Sequence, residues 1–371
     1  MKIPFYDATR EYFNYKANFD NAITEVITSG AFILGKQVSD FEEEVKEYTG
    51  AKYAVGVANG SDALLIASDI LGYRNADVLT PTFTFFASAS CIARLGGRPV
   101  FTDVDEDTFC MDMLDAENRI TENTKGIIPV HLFLQTANMN ACMKLAEKYN
   151  LSVLEDAAEA FGMKTFFNGL SRHAGTIGDL GVFSFYPTKT LGGYGDGGMI
   201  VTNNEELYEK TKSYRTHGAV KKYHHDLIGC NSRLDTLQAA ILQIKLARID
   251  ESIQKRARHS AHYRNALKDI SAIKLPVIYE NNSPVDYVFC LQAENRNGLE
   301  NYLKNNGIGT SIYYPAPLHL QKCFSFLNYK KGDFPVAEKL CQTVLALPMF
   351  PELTEGEIDY ICDTVKTFYE N

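Results

Sequence analysis

Between about residue 50 and residue 205, short apolar runs alternate with stretches of helical periodicity. This alternation restricts the fold more than any single motif does. Strand, helix and strand in succession build a mainly parallel sheet covered by helices on both faces. The runs KYAVGVA, ADVLTP, RPVFTDV, GIIPVHLF, LSVLEDA, LGVFSF and GMIVTN read as strands. Helices are expected at SDALLIASDIL after the first run, FFASASCIARLG after the second and ANMNACMKLAEKYN before LSVLEDA. The last two strands have no helix between them. Upstream, NFDNAITEVITSG and VSDFEEEVKEYTG read as two amphipathic helices.

Downstream, SRLDTLQAAILQIKLARIDESIQKRARHSAHYRNALKDI is one long helical pattern, expected as a spine from the sheet domain into a second domain. From about residue 270, strands such as VDYVFCLQA mix with helices such as RNGLENYLKNNG and TEGEIDYICDTVKTFYE. A chain of 371 residues with 45% hydrophobic content can support two cores, since one core rarely grows past roughly 250 residues. The expected organisation is a large α/β domain over residues 1–245, N-terminal helices included, and a smaller α+β domain over 246–371. No repeat and no low-complexity segment interrupts it.

Several function classes fall away. The formal charge of −9 and the lack of a basic run remove the footprint of a nucleic-acid binder. No apolar stretch reaches about 18 residues, and the start MKIPFYDATREYF lacks a signal-peptide core, so a cytoplasmic protein without a membrane span is expected. The eight cysteines are scattered with no C-x-x-C pair, which points to neither a zinc site nor a disulfide framework. His224 and His225 are adjacent and would point in different directions on a regular element, so no metal is expected there.

In an open α/β sheet the ligand lies beyond the carboxyl ends of the strands. Three polar places follow apolar runs in this way. ANGSDAL sets Asn59, Gly60 and Ser61 between a strand and a helix, where backbone N–H groups and the helix dipole favour a phosphate. LSVLEDAAEA leaves Glu155 and Asp156 at a strand end, with one of the two carboxylates expected to face the cleft. GVFSFYPTKTLGGYGDGGMIVTN carries Lys189 in a loop, with Ser184 and Tyr186 before it and a glycine cluster after it.

The three places fit one cofactor, pyridoxal phosphate. It needs a lysine for its aldehyde, an acid to keep its ring nitrogen protonated, donors for its phosphate and a flat apolar wall. Phe83, Phe85 and Phe86 are candidates for that wall, with at least one of them expected in the core.

These segments, with GAFILGKQVSDFEEEVKEYTG, PTFTFFASA, THG, NSRLDTLQAAIL, YYPAPLHLQ and LALPMFPELT, resemble the sugar-nucleotide aminotransferases of the DegT/StrS class, in that family's order and nearly end to end. The resemblance implies the fold type I architecture of pyridoxal-phosphate transferases. By position it makes Lys189 the lysine of the internal aldimine, Asp156 the partner of the ring nitrogen and Phe85 the aromatic stacked on the ring. Gly60, Ser61 and Ser184 would hold the phosphate, and Asn231 would reach it from the neighbouring subunit of a homodimer with shared active sites. Many members carry glutamine where this chain has Glu159, near the cofactor's phenolic oxygen. A carboxylate there would be repelled, so Glu159 is expected to be protonated, turned to another donor or in contact with substrate.

The implied reaction takes an amino group from L-glutamate, passes through pyridoxamine phosphate and aminates a keto-sugar nucleotide, as in the synthesis of amino sugars for surface glycans such as lipopolysaccharide O-antigen. Members acting on 3-keto sugars commonly show G-x-Y-G-D-G-G after the lysine, and this chain reads GGYGDGG from Gly192 to Gly198. A 3-keto sugar linked to dTDP or UDP is therefore expected, with a 4-keto sugar as the alternative. Tyr186, Arg233, Tyr314 and His319 are the expected substrate contacts.

A sugar dehydratase of the same fold carries histidine in place of the lysine, so Lys189 argues against it. A dinucleotide-binding reading of GGYGDGG fails because MIVTN follows as a strand where that loop must open a helix. No G-x-x-x-x-G-K-[ST] is present for a P-loop. A cofactor-binding regulatory protein is disfavoured by the full set of reactive positions.

Overall fold

Strand and helix alternate as the apolar periodicity requires, in a computed structural model that describes residues 1–221, 223–280 and 282–370. Helices α1 (Ala8–Asn14), α2 (Lys16–Ser29) and α3 (Lys36–Thr49) lead into β1 (Tyr53–Val57). Then come α4 (Gly60–Ile70), β2 (Asp77–Pro81), α5 (Ala87–Arg94), β3 (Arg98–Thr102), α6 (Met113–Asn118), β4 (Thr124–Ile127), α7 (Met139–Tyr149) and β5 (Ser152–Asp156). A hairpin, β6 (Lys164–Phe167) and β7 (Leu170–His173), precedes β8 (Leu180–Ser184), β9 (Gly198–Thr202) and α8 (Glu205–Tyr214).

The central sheet has seven strands in the order β1-β9-β8-β5-β4-β2-β3. Strand β9 runs antiparallel to both of its neighbours, and the other pairings are parallel. The carboxyl ends of β1, β2, β4, β5 and β8 therefore share one edge with the start of β9, where Gly198 pairs with both Val57 and Ser184. β2 and β9 are buried at every position, as continuous apolar runs covered on both faces should be.

Beyond α8, a short ribbon of β10 (Ala219–Lys221) and β11 (His224–His225) precedes α9 (Thr236–Leu246) and α10 (Ile249–Leu267). The C-terminal unit adds β12 (Ile273–Lys274), β13 (Asn282–Ser283), β14 (Phe289–Ala293), α11 (Arg296–Asn305), α12 (Pro335–Thr343), β15 (Val344–Leu347) and α13 (Glu355–Glu370). Strands β12, β14 and β15 form its antiparallel sheet, while β13 joins the β6–β7 hairpin. Ile3 packs into this unit's core with Tyr263, Phe289 and Leu345, so the first residues of the chain belong with its last third. The larger core runs from the sheet into the other face of the unit through Val285, Tyr287 and Cys290. No helix among the described residues is long and apolar enough to cross a membrane.

Three elements differ from the sequence reading. The long helical pattern is two helices, because Arg248 leaves helical geometry at φ −123° and ψ 7°. The break lets α9 pack on α2 and α3 while α10 packs on α13. The run GIIPVHLF is a continuous strand only at its start: β4 ends at Ile127, and past Pro129, which has no N–H to give a ladder, the pairing is an isolated parallel bridge from Val130 to Asp156. The hairpin β6–β7 has no counterpart in the sequence reading. Its two-residue turn, Asn168-Gly169, has φ of 49° and 76°, the left-handed pair that suits the twist of a tight hairpin.

Candidate active site

A cavity of about 450 Å³ opens where the strand ends converge, between the sheet and the C-terminal unit. Its walls carry Gly60, Ser61, Phe85, Asp156, Glu159, Ser184, Tyr186, Lys189 and Tyr314, together with Asn59, His131, Asp196, Tyr287 and Tyr313.

One wall is the start of α4. Asn59 caps this helix by accepting the Asp62 N–H at 2.8 Å, and Gly60 and Ser61 follow as its first residues. A Cβ on Gly60 would lie 2.8 Å from the Ser184 Cβ. Only glycine lets the positive end of the helix come this close to Ser184, and that end favours an anion.

The carboxylates of β5 divide as strand alternation requires. Glu155 is fully buried and accepts four hydrogen bonds, from His131 Nε2 at 2.9 Å, Gly175 N at 2.9 Å, Ile177 N at 2.6 Å and Gly178 N at 2.6 Å. Its task is to hold two loops, and the cavity-facing carboxylate is Asp156. The Ser88 hydroxyl donates to Asp156 Oδ2 at 2.7 Å and Ala158 N donates to Oδ1 at 3.2 Å. Asp156 is 4% exposed, and burial raises its carboxyl above the ordinary value against the pull of Ser88. Among the described residues no cation stands at ion-pair distance from it. A protonated ring nitrogen is the kind of partner this carboxylate lacks.

Lys189 sits in the loop between β8 and β9. Its backbone N–H donates to Tyr186 O at 2.8 Å, and the Tyr6 hydroxyl holds Pro187 O at 2.6 Å. After it, the glycines admit Gln238: a Cβ on either Gly193 or Gly195 would come within 2.8 Å of its carboxamide. The amine Nζ is 3.1 Å from Glu159 Oε1 and 4.7 Å from the centre of the Tyr287 ring. Burial works against the charge on Lys189, but Glu159 and then Tyr287 outweigh it and hold the ammonium above the usual lysine range. Glu159 itself makes two contacts. The carboxylate is turned to other donors, the Lys189 amine and Phe133 N, the latter at 3.3 Å.

The aromatic residues separate cleanly. Phe83 is fully buried in the core, whereas Phe85 stands 58% exposed in the cavity wall. Phe86 lies outside that wall, with its ring centre 5.6 Å from that of Phe324. A large apolar ring left open inside a cavity is what a flat ligand would cover. Burial raises the Tyr314 hydroxyl above its ordinary value, so it remains a neutral donor.

Two expected substrate contacts, Arg233 and His319, do not line this cavity, and neither does Asn231, which is expected to serve the partner's site. Asn231 is exposed and bridges Thr216 outside it, and Arg233 is half-buried, also away from its walls. His319 corrects the sequence reading more sharply. It is 2% exposed, with Nδ1 2.9 Å from Thr82 Oγ1 and Nε2 3.2 Å from Glu338 Oε1. The short helix Leu318–Leu320 turns the ring inward, where both nitrogens are occupied and neither can meet a substrate. Sequence reasoning also missed Ser88, three residues after Phe85, and Tyr287, which lies far from every motif.

Lysine amine, buried aspartate, open aromatic ring and helix N-terminus on this sheet define a fold type I pyridoxal-phosphate enzyme. The chain belongs to the DegT/DnrJ/EryC1/StrS aminotransferase family, whose sequence pattern matches residues 14–366. It is 42% identical to the pleiotropic regulatory protein of Geobacillus stearothermophilus, with 100% of each chain covered. It is 39% identical to the UDP-2-acetamido-2-deoxy-3-oxo-D-glucuronate aminotransferase of Pseudomonas aeruginosa, over 97% of this chain and 98% of that one. Among solved structures, S. venezuelae DesV in complex with a ketimine intermediate superposes with a TM-score of 0.96 at 36% identity, covering 100% of this chain and 99% of that one.

Proposed function

We propose that this protein transfers an amino group from L-glutamate to a 3-keto sugar linked to UDP or dTDP, in amino-sugar synthesis in the cytoplasm. The observation that carries the reading is the meeting of Lys189, Asp156 and the open ring of Phe85 in one cavity. Bound there, pyridoxal phosphate supplies an aldehyde for an amine and a ring that takes up the electron pair released beside it. Asp156 keeps the proton on the ring nitrogen. Gly60, Ser61 and Ser184 would hold the phosphate, and Phe85 would cover a face of the ring. The Lys189 amine would be the group that moves the proton between the α-carbon of the donor and the C4′ atom of the cofactor.

The loop GGYGDGG and the 3-oxo sugar named for the Pseudomonas relative support the 3-keto position. Tyr186 and Tyr314, both at the cavity wall, are the substrate contacts we assign, and Arg233 remains a candidate for the anionic part of the nucleotide. Asn231, exposed and away from its own cavity, supports a homodimer in which it serves the partner's site. The relative in Geobacillus carries a regulatory name, whereas the assembled lysine and aspartate speak for catalysis in this chain.

The test is glutamate-dependent amination of matched 3-keto and 4-keto nucleotide sugars, with product followed by mass. Turnover of the 3-keto members is expected. Turnover confined to 4-keto members would overturn the substrate assignment and leave the reaction class intact.

A further inference from the structure

The amine of Lys189 and the carboxylate of Glu159 meet in the cavity wall with side-chain exposures of only 16% and 10%. The two oxygens of Glu159 have separate tasks. Oε2 accepts the Phe133 N–H at 3.3 Å, and Oε1 accepts from Lys189 Nζ at 3.1 Å. The backbone contact fixes the carboxylate while its other oxygen stays aimed at the amine. Tyr287 backs the amine with its ring face at 4.7 Å and is itself held, its hydroxyl 3.1 Å from Thr188 Oγ1.

We propose that Glu159 is the standing counter-ion of the Lys189 nitrogen, stabilising positive charge there both in the free amine and once that nitrogen is bonded to an aldehyde carbon. The second half of this statement rests on the aminotransferase reading, and the first half does not.

The neighbours of Lys189 leave this role to Glu159. Asp156 and Glu159 face it from the end of β5 and the segment after it, with Tyr287, Tyr313 and Tyr314 from the C-terminal unit. Asp156 is engaged by Ser88 and Ala158, and burial raises the hydroxyls of Tyr313 and Tyr314 above their ordinary value. On its other side Lys189 borders a second, small cavity with Tyr6, Glu11, Lys245, Arg256 and Glu352. There Glu11 is paired with Lys245 at 2.6 Å, and the two acids balance the two bases. Charges this shielded are poorly screened by salt, and removing one partner leaves the other uncompensated. A positive charge on a nitrogen doubly bonded to carbon draws electrons from that carbon, so the counter-ion readies the site for attack by the donor's amine at neutral pH.

Trace acetylation of the full-length, cofactor-free protein across a pH series tests the pair directly. Lys189 is read by peptide mass against the exposed Lys36 in the same sample. In wild type, Lys189 is expected to reach half-maximal reactivity at a higher pH than Lys36. In Glu159→Gln that midpoint is expected to fall by at least one unit, which is about tenfold more neutral amine at a given pH, and Glu159→Asp is expected to fall between the two. With pyridoxal phosphate loaded, the pH at which the longer-wavelength band of the lysine-bound cofactor gives way to its shorter-wavelength band should move down in Glu159→Gln as well. An unchanged midpoint in either variant, or a wild-type midpoint at or below that of Lys36, would overturn the proposal even if Glu159→Gln fails to fold. If wild type shows no cofactor band, the aminotransferase reading falls, and the acetylation midpoints still decide the pairing.

Discussion

The hydroxyl of Ser88, from the first turn of α5, donates to Asp156 Oδ2 across 2.7 Å of buried space. Burial raises this carboxyl above its ordinary value, and the bond from Ser88 acts against that rise by favouring the ionised form. In Ser88→Ala the carboxyl should rise further and spend more of its time protonated. A hydrogen bond to a charged group contributes about 1.5–3 kcal/mol, so the cofactor dissociation constant should rise roughly tenfold to a hundredfold. A spectroscopic titration with pyridoxal phosphate reads it. Unchanged affinity would mean that Asp156 does not depend on Ser88.

The contact between Gly60 and Ser184 gives a reciprocal prediction. Gly60→Ala places a Cβ 2.8 Å from that of Ser184, an overpacking that should cost about 1–3 kcal/mol. Because one pair of atoms causes the clash, Ser184→Gly should recover much of the loss when combined with Gly60→Ala, although each single change destabilises. Thermal melts of the three variants check this. Additive losses would show that the strain lies elsewhere.

Acid sensitivity should begin above the carboxylate range. Burial lowers His173 to about 4, with the hydrogen bond to the Ala174 carbonyl acting against it. The unfolded chain binds that proton near pH 6.5. Stability from the neutral ring is therefore complete above about pH 6.5 and is lost as pH falls toward about 4, by roughly 3 kcal/mol in all. Glu155, held below its ordinary value by His131 in spite of burial, adds a second loss below about pH 4.3. Urea unfolding at about pH 7.5 and about pH 5 measures the first window. His173→Leu should flatten it, and an undiminished slope in that variant would assign the effect to another group.

The shared-site claim can be tested by mixing chains. Lys189→Ala and Asn231→Ala chains, unfolded and refolded together, should recover activity toward about one quarter of wild type, because half of random dimers are mixed and each would carry one intact site. If Asn231 serves its own chain's cavity, the mixture will be no more active than its parts.

The sequence made some of this site visible and hid the rest for physical reasons. Lys189, Asp156, Gly60 and Ser184 were legible because an open sheet places strand ends at one edge, and each follows or ends an apolar run. Alternation along β5 said that one of Glu155 and Asp156 faces the cleft. Which one depends on the backbone donors of Gly175, Ile177 and Gly178, and these belong to tertiary structure. His319 was misplaced because a motif does not reveal which way a short helix turns a ring. Tyr287 carried no signal, since it reaches Lys189 only after the C-terminal unit docks. The hairpin at Asn168-Gly169 was legible in principle, through its turn dipeptide, and was overlooked among longer apolar runs.

On the proposed function the Lys189 amine carries the cofactor. A visible spectrum of the purified protein loaded with pyridoxal phosphate, with and without L-glutamate, tests it for wild type and Lys189→Ala. Wild type should show a visible band that shifts toward the near ultraviolet when glutamate is added, and Lys189→Ala should lack that wild-type band. A wild type without the band, or a variant whose spectrum matches it, would contradict the account and leave a resemblance of fold alone.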